Sequence, residues 1–403
     1  MRLNIRYMIL ASLALLSAMP AIMAQRVERV SLLTCYPGPA IYELDGHTGL
    51  RVVMDDGTDV TANYGLFDFE TPNFVYRFVK GETDYRMGIY PTDLFLESYR
   101  RQGRRVVEQP FNLTPRQRER VVELLVENSR PENAVYRYNY VLDNCATRPV
   151  EIVERAIGDT IIFPTPGRHY LAPSTFREWM RYYHRDYPWY QFGIDLALGA
   201  GIDRPLTTRE AMFAPVTLAG MLTGAAIRDA DGRIVPAVTG TETIVDFPAG
   251  HAVESATPWY LTPMAVALAV MALTLSLCVS DIRRGRVTRW YGSALFALFG
   301  LAGCLLSFLV FVSSHYATSP NWLLLWLNPF CLFGAVAIWL KKWKTQLFFY
   351  HFVNFAALLV LVITWPWLGQ SANAAFWPLI ASDAMLSASY IYINRCVISR
   401  YRK

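Results

Sequence analysis

The sequence predicts an α+β domain, an antiparallel sheet packed on helices, followed by an all-α bundle of five transmembrane helices. Hydrophobic residues make up 53% of the 403-residue chain and mean hydropathy is +0.21. That apolar excess is concentrated after residue 258. Before it, short strand-like runs are separated by turn residues; after it come apolar stretches of about 20 residues, the length that crosses a hydrocarbon core.

The chain opens with Arg2 and Arg6 and an apolar run from Met8 to Met23, the pattern of a secretory signal over residues 1–24. Ile22 sits where a small residue is preferred for cleavage after Ala24, so an uncleaved anchor is the alternative. Either form exports the adjoining domain, expected over residues 26–257.

The expected spans are Leu261 to Val279, Tyr291 to Val312, Trp322 to Leu340, Leu347 to Leu368 and Phe376 to Ile393, within a membrane domain over residues 258–403. Arg283, Arg284, Arg286 and Arg289 follow the first span. Lys341, Lys342 and Lys344 follow the third, and Arg395, Arg400, Arg402 and Lys403 close the chain. The connections at 313–321 and 369–373 hold no Lys or Arg. Basic loops stay in the cytoplasm, which puts the α+β domain outside and the C-terminus inside, in agreement with the export signal. The net charge of +5 is thereby a topology signal and calls for no nucleic-acid partner.

In the exported domain, Val30 to Cys35 reads as a strand closed by Tyr36-Pro37-Gly38-Pro39. His47 to Met54, the turn Asp55-Asp56-Gly57-Thr58 and Val60 to Phe67 read as a hairpin. Thr114-Pro115-Arg116-Gln117 is a capping box with proline at the first helical position, opening a helix that ends near Asn128. A second helix starts near Cys145 and stops at Gly158. Pro149 is tolerated only in a first turn, which places the N-cap at Cys145 or just after it. From Ser174 to Phe192 aromatic rings alternate with arginines, fitting either a surface resting on the membrane or ordinary core and solvated face.

Cys145 at a helix N-terminus is the candidate nucleophile. The helix dipole contributes about 0.3–1 kcal/mol, roughly 2 at best, which lowers a thiol pKa by about one unit. His47, at the start of a strand, is the candidate base, and Asn63 the candidate for orienting it. A four-residue turn, however, would put Tyr64 on the face of His47, so Asn63 needs a bulge to reach it. Cysteine on a helix and histidine on a strand is the pairing of papain-like thiol enzymes, met here in circularly permuted order. On residue types alone three readings stay open: a catalytic pair, a Cys35 to Cys145 disulfide, and a buried structural histidine. Of six cysteines, only these two lie in the exported domain. The scattered histidines lack zinc-ligand spacing and no glycine-rich phosphate loop occurs, so no cofactor or metal is expected. Within the spans, Asp383, His351 and Asn354 are ionisable or polar, the kind of residue that marks either a functional site or a satisfied group inside the bundle.

Leu32-Leu33-Thr34-Cys35-Tyr36-Pro37-Gly38, Gly46-His47-Thr48, Asn63-Tyr64-Gly65-Leu66-Phe67-Asp68-Phe69 and Asp143-Asn144-Cys145-Ala146-Thr147-Arg148-Pro149 together resemble the periplasmic domain of the Lnb family of lipoprotein N-acyltransferases. The resemblance covers roughly residues 28–220, and the membrane part is similar in architecture. It implies an inner-membrane enzyme whose cysteine takes an acyl chain from a phospholipid and passes it to the amine of a diacylated lipoprotein. His47 and Cys145 fall on the family's motif. Tyr64, Asp143 and Asn144, within the same motifs, are expected at the substrate. A papain-like cell-wall amidase or peptidase, and an envelope sensor built on a Cys35 to Cys145 disulfide, are the alternatives.

Overall fold

A computed structural model describes residues 26–67, 70–82, 84–164, 174–229, 231–248 and 257–395. The signal segment, Asp68, Phe69, the 165–167 part of the proline-rich connection and the tail after Arg395 lie outside the described residues. The chain forms two compact units. One holds residues up to Phe78, Glu82–Ser174 and Pro205–Glu254; the other holds Val79–Gly81, Thr175–Arg204 and Ser255 onward.

The first unit is an antiparallel sheet packed on helices. Its strands are β1 (Val27–Cys35), β2 (His47–Met54), β3 (Asp59–Leu66), β4 (Asp84–Pro91), β5 (Val106–Pro110), β6 (Val135–Arg137) and β9 (Glu242–Val245), in the order β6-β4-β3-β2-β1-β5-β9. A separate hairpin pairs β7 (Ala226–Arg228) with β8 (Ile234–Pro236). Strand β1 lies between β2 and β5 and is covered on both faces, which is why Leu32 and Leu33, on opposite sides of the pleat, are both fully buried. Leu32, Leu50, Val52 and Ala62 pack with Val121 and Leu124 of helix Pro115–Ser129 and with Val150 and Val153 of helix Thr147–Ile157. On the other face, Leu33 and Cys35 pack against Phe95, Leu96 and Tyr99 of helix Thr92–Arg101. The expected capping box forms: the Thr114 hydroxyl accepts from Gln117 N–H at 3.3 Å, and the Gln117 side chain accepts from Thr114 N–H at 2.9 Å.

The β2–β3 hairpin corrects the expected register. Its turn has three residues, Asp55, Asp56 and Gly57, because Met54 N–H bonds to the Thr58 carbonyl and Gly57 N–H to the Met54 carbonyl. Gly57 takes φ +87°, the left-handed closing position of a three-residue hairpin loop that residues with a Cβ avoid. The strands therefore pair Gly49 with Asn63 and Leu50 with Ala62. Asn63, two residues from Gly65, shares the face of His47; Tyr64 takes the other.

In the second unit, helices Pro263–Arg284, Arg289–Phe311 and the helical segment Lys341–Trp367 are long and apolar enough to cross a membrane. Helix Phe376–Asn394 has 19 residues and carries buried Ser382, Asp383, Ser387 and Ser389. The third expected span is not one helix. It divides into a single turn, Trp322–Leu325, and a short helix, Cys331–Ala337. Seven helical residues rise only about 10 Å. Pro329, without an N–H and in collision with any helical carbonyl four residues back, accounts for the break. Helix Arg289–Phe311 packs directly on it: a Cβ at Gly303 would stand 2.5 Å from the Asn328 backbone. Irregular backbone at such a depth is tolerated where protein covers it.

The aromatic and arginine-rich segment belongs to this helical unit, as helices Phe176–His184 and Pro188–Ala197. Arg177 is fully buried and bonds to Asp195 at 3.1 Å and Asp203 at 2.8 Å, so this cation faces carboxylates inside the fold. Trp179 and Tyr183 are buried, whereas Tyr182 and Trp189 are exposed. Asp383 accepts from the Asn354 amide at 2.7 Å, Asn354 also reaches Ser387 at 3.0 Å, and His351 meets Ser387 at 3.1 Å. The three groups singled out from the sequence are thus one buried cluster.

Candidate active site

His47 begins β2 directly across from Cys35, the last residue of β1. Its Nε2 lies 2.6 Å from Asn63 Oδ1. An amide oxygen can only accept, so Nε2 carries the proton and Nδ1 is left as the basic nitrogen. Burial, ahead of the favourable Asn63 bond and the repulsion of the Arg104 cation, lowers the His47 pKa to about 4. The imidazole is therefore neutral at pH 7.

Cys145 precedes helix Thr147–Ile157, whose N-cap is Ala146. Gly65, at φ +89°, has both cysteine and histidine as neighbours: a Cβ placed on it would lie 3.9 Å from Cys145 Cβ, 4.0 Å from His47 Cε1 and 3.5 Å from the Tyr138 ring. Three side chains thus surround one point of the strand end, where the positive φ, and not lack of space, favours glycine. The Thr48 hydroxyl donates to the Cys145 carbonyl and pins the loop to β2.

The thiol environment differs from the expected one. Burial, outweighing the opposing influence of the Thr48 backbone N–H and the Tyr138 hydroxyl, pushes the Cys145 pKa up to about 11. The first helical donors do not offset this, because they face elsewhere. Asn144 Oδ1 accepts from Ala146 N–H at 2.8 Å and Thr147 N–H at 3.0 Å, and the Asn144 carbonyl accepts from Arg148 N–H at 3.2 Å. Desolvation is thereby stronger than the dipole. Cys35 and Cys145 are both free thiols. The Cys35 thiol, buried beneath the site, is pushed up to about 12 by desolvation.

Of the residues expected at the substrate, Tyr64 is buried in the core and its hydroxyl accepts from the Asn128 amide at 3.3 Å. Asn144 commits the other end of its amide to the Tyr140 and Phe213 carbonyls, at 2.7 and 2.9 Å. Asp143 forms a two-bond pair with Arg148, both at 2.6 Å. The Arg148 guanidinium in turn lies over the Tyr136 ring at 3.5 Å. The structure brings Cys145, His47 and Asn63 together; Asp143 and Asn144 fix the loop that carries Cys145, and Tyr64 turns away.

Sequence reasoning missed Thr48 and Tyr138. Thr48 is a polar residue on the strand face that also carries Leu50, Val52 and Met54, an anomaly visible in the alternation. Tyr136, Tyr138 and Tyr140 alternate just before the cysteine, a row of rings that was the signal for an aromatic neighbour.

Residues 20–181 match the family model described as the Lnb N-terminal periplasmic domain, and residues 255–396 match the Lnb transmembrane domain. No curated protein and no solved structure matches the chain.

Proposed function

Because the chain belongs to the Lnb family, as a membrane protein with a periplasmic domain, we propose that it is a lipoprotein N-acyltransferase of the inner membrane. It moves a fatty acyl chain from a phospholipid, through a thioester on Cys145, to the N-terminal amine of a diacylglyceryl-cysteine lipoprotein. The convergence of Cys145 and His47 beside Gly65, with Asn63 on the imidazole, carries this reading. A thiol before a helix, a base on a strand and an amide that orients it form the set a papain-like nucleophile needs, here in permuted order.

His47 Nδ1 takes the Cys145 proton as the sulfur attacks the acyl carbonyl carbon. The ester C–O bond breaks, and the glycerol oxygen leaves with the proton from His47 as a lysophospholipid. In the second half-reaction the lipoprotein amine attacks the thioester and gives a proton to His47, the C–S bond breaks, and the departing sulfur takes that proton to restore the thiol. With the thiol near 11 and the imidazole near 4, the pair rests as neutral thiol and neutral imidazole, so proton transfer accompanies attack. Both substrates are anchored in the bilayer, which gives the transmembrane domain its purpose.

The test is to trap the intermediate. Full-length protein in phospholipid vesicles with a diacylated lipoprotein is expected to carry a fatty acyl group on Cys145 that hydroxylamine releases. Cys145→Ala should abolish lipoprotein N-acylation while Cys35→Ala retains most of it; the reverse result rejects the assignment. Cleavage of muropeptides without lipid would favour a cell-wall amidase instead.

A further inference from the structure

We infer that Tyr138 is a further catalytic residue of this site: its hydroxyl donates to the Cys145 sulfur at rest and to the carbonyl oxygen of the acyl group during transfer. The inference rests on the acyl-transfer reading above. It starts from placement. The Tyr138 ring stands 3.5 Å from the Cβ position of Gly65, the same point approached by Cys145 and His47, and its hydroxyl is among the groups that act on the Cys145 thiol in the direction of a lower pKa. The ring is held there by stacking on Tyr85, centroids 4.3 Å apart and planes 24° apart, with Tyr136 at 6.3 Å on another side. A phenol so held has its donor fixed before any substrate arrives.

The N–H groups of Ala146 and Thr147 are bonded to Asn144, which leaves the backbone N–H groups of Thr48 and Cys145 as the main-chain donors at the sulfur and the Tyr138 hydroxyl as the side-chain one. Burial, reinforced by the neighbouring sulfur, Tyr136, Tyr85 and Asp45, holds the Tyr138 phenol well above its ordinary pKa, so it stays protonated and acts as a donor. When the sulfur bonds to the acyl carbon it ceases to be a good acceptor, and negative charge moves to the carbonyl oxygen one bond away. The phenolic hydrogen then turns from sulfur to oxygen without a change of proton count. A donor aimed at developing charge in a dry site is worth about 10²–10³ in rate.

Tyr138→Phe in the full-length protein tests this, since phenylalanine keeps the stack on Tyr85. The first measurement needs no lipid: the rate of Cys145 alkylation by iodoacetamide at pH 8–9, read by peptide mass spectrometry. Loss of the hydroxyl should raise the thiol pKa and slow alkylation about tenfold for each unit. The second is the rate of acyl-thioester formation from phospholipid vesicles, expected to fall about 10²-fold or more. Wild-type alkylation and acylation in Tyr138→Phe would overturn the inference. Slower acylation with unchanged alkylation and a lowered melting temperature would also overturn it, by showing a structural role. If wild-type protein never forms the thioester, the acyl-transfer reading fails while the alkylation rates still decide whether Tyr138 donates to the sulfur.

Discussion

His47 Nε2 and Asn63 Oδ1 lie 2.6 Å apart across the β2–β3 hairpin, on one face of the sheet, although Asn63 pairs in register with Gly49 and not with His47. The contact is diagonal, and it fixes both the tautomer and the tilt of the imidazole. Asn63→Ala is therefore expected to leave the fold intact and slow acyl transfer by at least about tenfold, bounded by the roughly 10²–10⁴ that a positioned base contributes. His47→Ala should lose that whole factor. Single-turnover thioester formation measures both.

The acid limb of activity is set by the burial of His47. Its pKa is lowered to about 4, so the imidazole remains able to accept a proton far below the ordinary histidine range of about 6.5 and becomes protonated, and inactive, only as pH falls through about 4. The pH profile of thioester formation should thus fall near pH 4 and not near 6.5. On the alkaline side, the Cys145 thiol at about 11 predicts alkylation that still rises with pH beyond 9.

Gly57 sets which side of the hairpin Asn63 occupies. Gly57→Val forces a branched side chain into φ +87° and should cost about 1–2 kcal/mol, or more, in stability. Activity should fall further than stability explains, because any relaxation of the turn to four residues would exchange Asn63 for Tyr64 beside His47. Thermal unfolding and thioester formation on the same preparation separate the two effects.

Thr48→Val removes the hydroxyl that donates to the Cys145 carbonyl while keeping the shape of the side chain. A buried carbonyl left without its donor costs about 1–3 kcal/mol. The denaturation midpoint should drop accordingly, and Cys145 should become accessible to bulky alkylating reagents that wild type excludes.

What the sequence made legible was what local chemistry controls. The strand run before Cys35, the Thr114 capping box and the helix between Cys145 and Gly158 all appear, since each depends on neighbours a few residues away. That His47 and Cys145 both approach Gly65 depends on sheet topology, which no local signal reveals. The register of Asn63 differs by one residue from the expected one because a single left-handed glycine decides between a three- and a four-residue turn. The third span differs because hydropathy counts apolar residues and is blind to Pro329. The thiol pKa differs because a helix N-terminus looks positive from sequence, while the Asn144 side chain that occupies it, and the burial that outweighs it, belong to the fold.

The protonated state of Cys145 has a further consequence for a protein that faces an oxidising compartment. Thiolates are the species that exchange with disulfides and are oxidised to sulfenic acid. A sulfur kept as S–H, 7% exposed and with Cys35 sealed beneath it, gives stray oxidants little to react with. On the acyl-transfer reading proposed above, slow chemistry between turnovers would let such a nucleophile survive an oxidising compartment until an acyl ester arrives.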